Sequence, residues 1–264
     1  MNRIKTNISD SWIFKTPIAH RGLHNITIPE NSLAAFKNAA KHGYPAELDI
    51  HMLNDGGIAV LHDDTLNRMT GKNGLIEDVK TEDLKKLKLL DRNGNPTEEY
   101  IPTLKETLKL AEGVLPLLIE LKPPCNYGLE QTGDFEDKIA ENMKDYKGDY
   151  AFISFNPHTL RALKKRMPWA YFGILVGNWT KEEFDDVNFT SGDFDFIDCW
   201  DRKLSCEWIR RYDCPILCYT IKSADEYNDA KKLSDNCTFE FPFEPQLMNL
   251  KKLTSDNRSN DNLA

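Results

Sequence analysis

Residues 46–63 read Ala46-Glu47-Leu48-Asp49-Ile50-His51-Met52-Leu53-Asn54-Asp55-Gly56-Gly57-Ile58-Ala59-Val60-Leu61-His62-Asp63, two β-type runs parted by only four residues, Asn54 to Gly57. A parallel crossover needs about a dozen residues or more, so the two runs are predicted to pair antiparallel. Asp55-Gly56 suits a two-residue turn because both positions tolerate positive φ, and that turn sets Asp49 opposite His62. Outward from this hairpin, further β-type runs fall at Pro17 to His20, Leu117 to Leu121, Ala151 to Ser154, Tyr171 to Leu175, Phe194 to Asp198, Ile216 to Thr220 and Thr238 to Phe241. Amphipathic stretches fill the intervals from Leu117 onward: Phe135 to Tyr146, His158 to Arg166, Lys181 to Asp186, Glu207 to Arg211 and Ala224 to Leu233. Strands alternating with helices indicate a parallel sheet. Counting the hairpin as an extension of one strand leaves eight, so the expected fold class is α/β, a (β/α)8 barrel. The 264 residues match the roughly 250 typical of that fold.

The stretch 63–116 is read as an insertion over the barrel rim, with helical patterns near Thr81 to Leu90 and Leu104 to Glu112 around the break Asp91-Arg92-Asn93-Gly94-Asn95-Pro96. Residues 1–253 are expected to form one domain. The stretch 254–264 is polar and reads as a flexible tail.

Net charge is −8, from 34 Lys and Arg against 42 Asp and Glu, with a pI near 5.4. That balance argues against nucleic-acid and anionic-membrane partners, which reward clustered cations. Neither a signal-peptide run nor a membrane-length apolar stretch is visible, so a cytoplasmic location without stable membrane insertion is expected. Six cysteines, Cys125, Cys199, Cys206, Cys214, Cys218 and Cys237, show no C-x2-C pair. They are read as reduced core thiols in preference to disulfides or a zinc site. No oligomeric state follows from composition.

Chemistry-bearing residues gather at strand ends. Glu47 and Asp49 are two apart on one strand and therefore share a face. Two like charges on a buried barrel face require compensation, and a hard divalent cation supplies it; Glu120, from Leu118-Ile119-Glu120-Leu121-Lys122, completes an all-oxygen set for Mg²⁺ or Ca²⁺. Salt-bridged carboxylates are the alternative. His20-Arg21-Gly22 closes the first strand, followed by a helix start at Pro29-Glu30-Asn31-Ser32, an arrangement suited to an anion. Arg21 can fork onto a phosphate, or simply pair with a surface carboxylate. His20 and His62 approach the carboxylate group by independent arguments and are candidates for acid/base work, which a poor alkoxide leaving group demands. His24, His42, His51 and His158 are read as packing residues.

The ordered blocks His20-Arg21-Gly22, Pro29-Glu30-Asn31-Ser32, Glu47-Leu48-Asp49, Asp55-Gly56, His62-Asp63, Leu66-Asn67-Arg68, Thr70-Gly71, Ile101-Pro102-Thr103-Leu104, Ile119-Glu120-Leu121-Lys122 and Ser154-Phe155 resemble the glycerophosphodiester phosphodiesterase family over about residues 17 to 242. The resemblance implies a TIM barrel with an insertion after the hairpin. It also implies one divalent cation, Mg²⁺ or Ca²⁺, on Glu47, Asp49 and Glu120, a His20/His62 acid-base pair, and phosphate contacts from Arg21 and Lys122. The expected activity is metal-dependent hydrolysis of a small-molecule glycerophosphodiester to an alcohol and glycerol phosphate. The C-terminal blocks depart from the family's pattern: Tyr219-Thr220-Ile221 stands for its Trp-Thr-Val, and Phe239-Glu240-Phe241-Pro242 for its Thr-Asp-x-Pro. That leaves the alcohol open, with Phe155, Trp200 and Tyr219 as candidate pocket residues. A lysophospholipase D or sphingomyelinase-D-like lipid phosphodiesterase is the alternative enzyme, and a non-catalytic barrel binding phosphodiesters the alternative class.

Overall fold

The computed structural model describes residues 7–125, 130–187 and 192–245. The expected tail, 254–264, lies outside the described residues. Strands β1 (Ile18–Ala19), β2 (Ala46–Met52), β3 (Ile58–Val60), β4 (Lys88–Leu90), β5 (Pro96–Tyr100), β6 (Leu117–Leu121), β7 (Tyr150–Ser154), β8 (Tyr171–Val176), β9 (Phe196–Trp200), β10 (Ile216–Ile221) and β11 (Asn236–Phe239) follow in order. Helices α1 (Leu33–His42), α2 (Asn67–Thr70), α3 (Leu104–Ala111), α4 (Asp134–Met143), α5 (Pro157–Arg166), α6 (Lys181–Asp186) and α7 (Ala224–Ala230) intervene. The order β1-β11-β10-β9-β8-β7-β6-β2, closed by a β1–β2 pairing, makes a barrel of eight parallel strands. The fold is a TIM barrel.

Strand alternation sorts the core into layers. Along β6, Leu117, Ile119 and Leu121 pack outward against the helices, whereas Leu118 joins Ile18, Ala151, Ile153, Leu175, Phe196 and Leu217 in the lumen. Gly173 also faces that lumen, where a Cβ would meet the Phe196 ring at 2.3 Å, so only glycine fits. Ile13, from an N-terminal 3-10 turn, joins the lumen cluster, and Asn236 Nδ2 donates to the carbonyls of Ile13 and Thr16 at 2.6 and 2.8 Å, tying that turn to the barrel.

The hairpin forms, but its register differs by one residue from the expected one. Ile50 pairs with Val60 and Met52 with Ile58, and Leu61 N donates to Asp49 O at 3.1 Å, so Leu61, not His62, lies opposite Asp49. The cause is the turn. Leu53 N bonds Gly57 O at 2.8 Å, closing a three-residue loop with Gly56 at φ +79°, and a one-residue slip exchanges the faces.

The segment expected as a helix over Thr81 to Leu90 is a 3-10 turn, Thr81–Lys86, followed by β4, which pairs with β5 across Asp91-Arg92-Asn93-Gly94-Asn95. Leu84, Leu89 and Ile101 pack with Leu53, Leu61, Leu66 and Met69 into a separate small core. Burial against this cluster outweighs the helical spacing of the stretch. Among the described residues, no helix is long and apolar enough to cross a membrane.

Candidate active site

The carboxyl ends of β1, β2 and β6 converge. The parallel register sets Asp49 beside Glu120 on the lumen face, with Glu47 one step below on the same face. Oxygens of Glu47, Asp49 and Glu120 lie within 4.8 Å of one another, and among the described residues this is the one His/Cys/Asp/Glu group close enough to hold a metal ion. Burial, Asp49 and Glu120 push the Glu47 carboxyl well above its ordinary range. Glu120 is pushed up to about 7 by burial, with Lys122 opposing. Burial acts on Asp49 as well, but Lys122, Arg21 and His62 together with an Asn31 hydrogen bond hold it far below its ordinary value. Glu47 Oε1 is buried with no hydrogen-bond partner in the protein, whereas Asp49 Oδ1 faces the Lys122 ammonium. Three crowded carboxylates, one of them with an unpartnered buried oxygen, form an all-oxygen donor set that fits a hard divalent cation.

The basic residues are woven into this group. Lys122 Nζ lies 2.6 Å from Glu120 Oε1 and 3.2 Å from Asp49 Oδ1. Arg21 takes φ +53°, which turns its amide onto Glu47 Oε2 at 2.8 Å. Its guanidinium reaches Glu30 Oε1 at 2.6 Å and Asp49 Oδ2 at 3.6 Å. Gly22, at φ +77°, follows because a Cβ would stand 2.8 Å from Ala35 on α1, whose start Ser32 caps. Asn31, also at positive φ, donates to Asp49 Oδ2 at 2.8 Å.

Each histidine carries a carboxylate on Nδ1. His20 Nδ1 meets Glu240 Oε2 at 2.7 Å, leaving Nε2 directed at the carboxylate group, 4.0 Å from Glu47 Oε2. His62 Nδ1 meets Asp63 Oδ1 at 2.8 Å. Arg68 then bridges Asp63 to Glu30, and Glu30 reaches Arg21, so one chain of charges spans the rim from His62 to Asp49. Within it, burial opposes but Arg68 and Arg21 bring Glu30 down to about 2. Burial lowers both His20 and His62; Arg21 adds to this at His20, and Asp49 opposes it at His62.

Glu240, Asp63 and Arg68 carry no site role in the sequence, and Glu30 and Asn31 stand there only as part of a helix start, which Ser32 caps while Asn31 turns to Asp49. His62-Asp63 and Leu66-Asn67-Arg68 were visible as blocks, but a partner 220 positions away, as Glu240 is from His20, carries no local signal. Two cavities flank the carboxylates. One, about 610 Å³, is lined by His20, His24, Arg68, Arg92, Lys222 and Glu240 among others. The other, about 660 Å³, is bounded by Glu120, Lys122, Phe155 and Trp179. Of the expected pocket residues, Phe155 lines the second cavity and Tyr219 packs edge-on against it at 6.4 Å. Trp200 lines neither, and its ring lies under Arg202.

A (β/α)8 barrel with acidic and histidine side chains converging at its carboxyl-end rim has the layout of a barrel enzyme. The profile of the glycerophosphoryl diester phosphodiesterase family matches residues 20–207, and the chain belongs to that family. A glycerophosphodiester phosphodiesterase of Caldanaerobacter subterraneus is 35% identical over 162 residues, 60% of this chain and 65% of that protein. The Bacillus subtilis protein YhdW is 40% identical over 183 residues, 66% of this chain and 74% of its own length. A phosphodiesterase of Oleispira antarctica, solved in complex with the product sn-glycerol-3-phosphate, superposes with a TM-score of 0.72 at 25% identity, covering 85% of this chain and 92% of that one.

Proposed function

We propose that the chain hydrolyses glycerophosphodiesters to an alcohol and glycerol phosphate, using a divalent cation, Mg²⁺ or Ca²⁺, held by Glu47, Asp49 and Glu120. The observation that carries this reading is the joining of that buried acidic group to two histidines, each with a carboxylate on Nδ1. When bound, the cation supplies Lewis-acid polarisation of a phosphoryl oxygen. Arg21 and Lys122 stand beside the same carboxylates and offer cationic donors to the charge that builds on the phosphoryl oxygens.

Hydrolysis makes a bond from the nucleophile to phosphorus and breaks the P–O bond to the alcohol. The nucleophile's proton goes to Nε2 of one histidine, and the other, which enters the step as the imidazolium, gives its Nε2 proton to the departing alkoxide. Glu240 and Asp63 hold the two rings by Nδ1, so Nε2 is the atom that exchanges protons with the substrate. Burial, with Arg21 adding to it, lowers the His20 pKa and so favours the neutral, proton-accepting form of its ring.

His20→Ala and His62→Ala are each expected to depress turnover by about 10² to 10⁴, with divalent-metal binding by calorimetry retained. Near-parent turnover in either variant would remove that histidine from the pair.

A further inference from the structure

His51 follows Glu47 and Asp49 on the same face of β2. Its side chain is 1% exposed. The sequence leaves it a packing role, yet a buried imidazole is costlier there than an aliphatic chain of its size unless its nitrogens find partners. One of them does. His51 Nε2 lies 3.3 Å from the backbone oxygen of His62, across the hairpin. A carbonyl oxygen only accepts, so the bond places the ring proton of His51 on Nε2. Nδ1 is left buried without a hydrogen bond, with Asp64 Oδ1 at 3.9 Å.

That bond falls where the hairpin ladder gives out. β3 ends at Val60, Leu61 N donates to Asp49 O at 3.1 Å, and the carbonyl of the following residue, His62, is met by a side chain instead of by the β2 backbone. From there the chain enters the bend 62–64. The His62 ring is held through Nδ1 by Asp63, and Asp63 by Arg68. Those contacts tie the ring to its own neighbour and to the 63–68 segment. His51 ties the His62 main chain itself to the strand that carries Glu47 and Asp49.

Resting on the hydrolytic reading above, we propose that His51 is a positioning residue for His62: its Nε2–H holds the His62 main chain and so sets how far the His62 ring stands from the Glu47/Asp49/Glu120 group. It acts through His62 alone and touches neither the substrate nor the cation.

The test follows glycerophosphocholine hydrolysis with Mg²⁺ or Ca²⁺. His51→Leu and His51→Asn both remove the bond, the second with a polar side chain too short to reach the carbonyl, and Mg²⁺ binding by calorimetry reports whether each keeps its fold and its acidic group. A misplacement of about 1 Å can cost about 10²-fold, so loosening the His62 main chain should lower kcat by about tenfold and leave KM within about twofold. His51→Gln, whose amide nitrogen can stand where Nε2 stands, should recover most of that loss. In His62→Ala protein the ring to be positioned is gone, so adding His51→Leu should change turnover by less than about twofold, whereas a merely structural histidine would lower both backgrounds alike. Loss of Mg²⁺ binding in both bond-removing variants, kcat within about twofold of the parent in both, no recovery in His51→Gln, or the same fall repeated in His62→Ala protein overturns the positioning role and leaves the hydrolytic reading standing. A parent silent on glycerophosphocholine and glycerophosphoglycerol with either cation overturns both.

Discussion

Glu240→Gln isolates the contact that aims His20 at the carboxylate group. In the parent, a carboxylate oxygen sits 2.7 Å from Nδ1, both side chains are about 15% exposed, and the pair lies out of the reach of bulk screening. A carboxylate accepts only, so it fixes the proton on Nδ1 and leaves Nε2 as the basic atom. An amide can donate instead, which permits the opposite tautomer. A hydrogen bond to a charged group is worth about 1.5 to 3 kcal/mol; at about 1.36 kcal/mol per decade the expected fall in turnover is roughly 10- to 150-fold. Burial and Arg21 lower the His20 pKa while the Glu240 hydrogen bond and charge raise it, so removing that charge moves the His20 titration to lower pH. The His20 ring-proton resonance, followed by NMR against pH alongside steady-state kinetics, reads both effects. Turnover within about twofold of the parent, or an unmoved titration, would refute Glu240 as a positioning residue.

Glu120→Gln should weaken Mg²⁺ and Ca²⁺ binding by more than the roughly 10- to 100-fold that loss of an outer partner costs, measured by calorimetry; unchanged affinity would exclude Glu120 as a ligand. Asp198 is buried in the lumen between Leu175 and Leu217, neither of its oxygens has a hydrogen-bond partner, and burial and then Glu120 raise its pKa well above 3.8. The folded state therefore keeps a proton that the unfolded chain releases, so the stability present below pH 3.8 is lost as pH rises toward the folded pKa, by about 1.4 kcal/mol per pH unit. Asp198→Asn removes that slope, and thermal unfolding between pH 5 and pH 7 should show a flatter dependence than the parent; parallel curves would contradict it.

The barrel was legible because its evidence is local. Apolar runs such as Leu117 to Leu121 and the short gap at Asn54 to Gly57 leave few topologies open. The clustering of Glu47 with Asp49 follows from strand periodicity alone, and Glu120 joins them because the β2–β6 register sets it beside Asp49. Less legible was whatever depends on turn geometry or on distant chain. Asp55-Gly56 fits both a two- and a three-residue loop, and Gly56 at positive φ serves either, so the slip that placed Leu61 opposite Asp49 was not decidable from residue types. Lys88-Leu89-Leu90 has the spacing of a helix end but becomes β4, because β5 lies across the turn and Leu89 fills a small core. The carboxylate on each histidine exemplifies the same division, since Asp63 is adjacent to His62 whereas Glu240 reaches His20 only once the barrel closes.

The most direct test of the central claim is release of glycerol phosphate from glycerophosphodiesters by metal-stripped protein, before and after Mg²⁺ or Ca²⁺ is restored. The stripped protein should be inactive and regain turnover with the cation, while Glu47→Gln or Asp49→Asn protein should not. Full turnover without metal, or silence on every diester with both cations restored, would contradict the account.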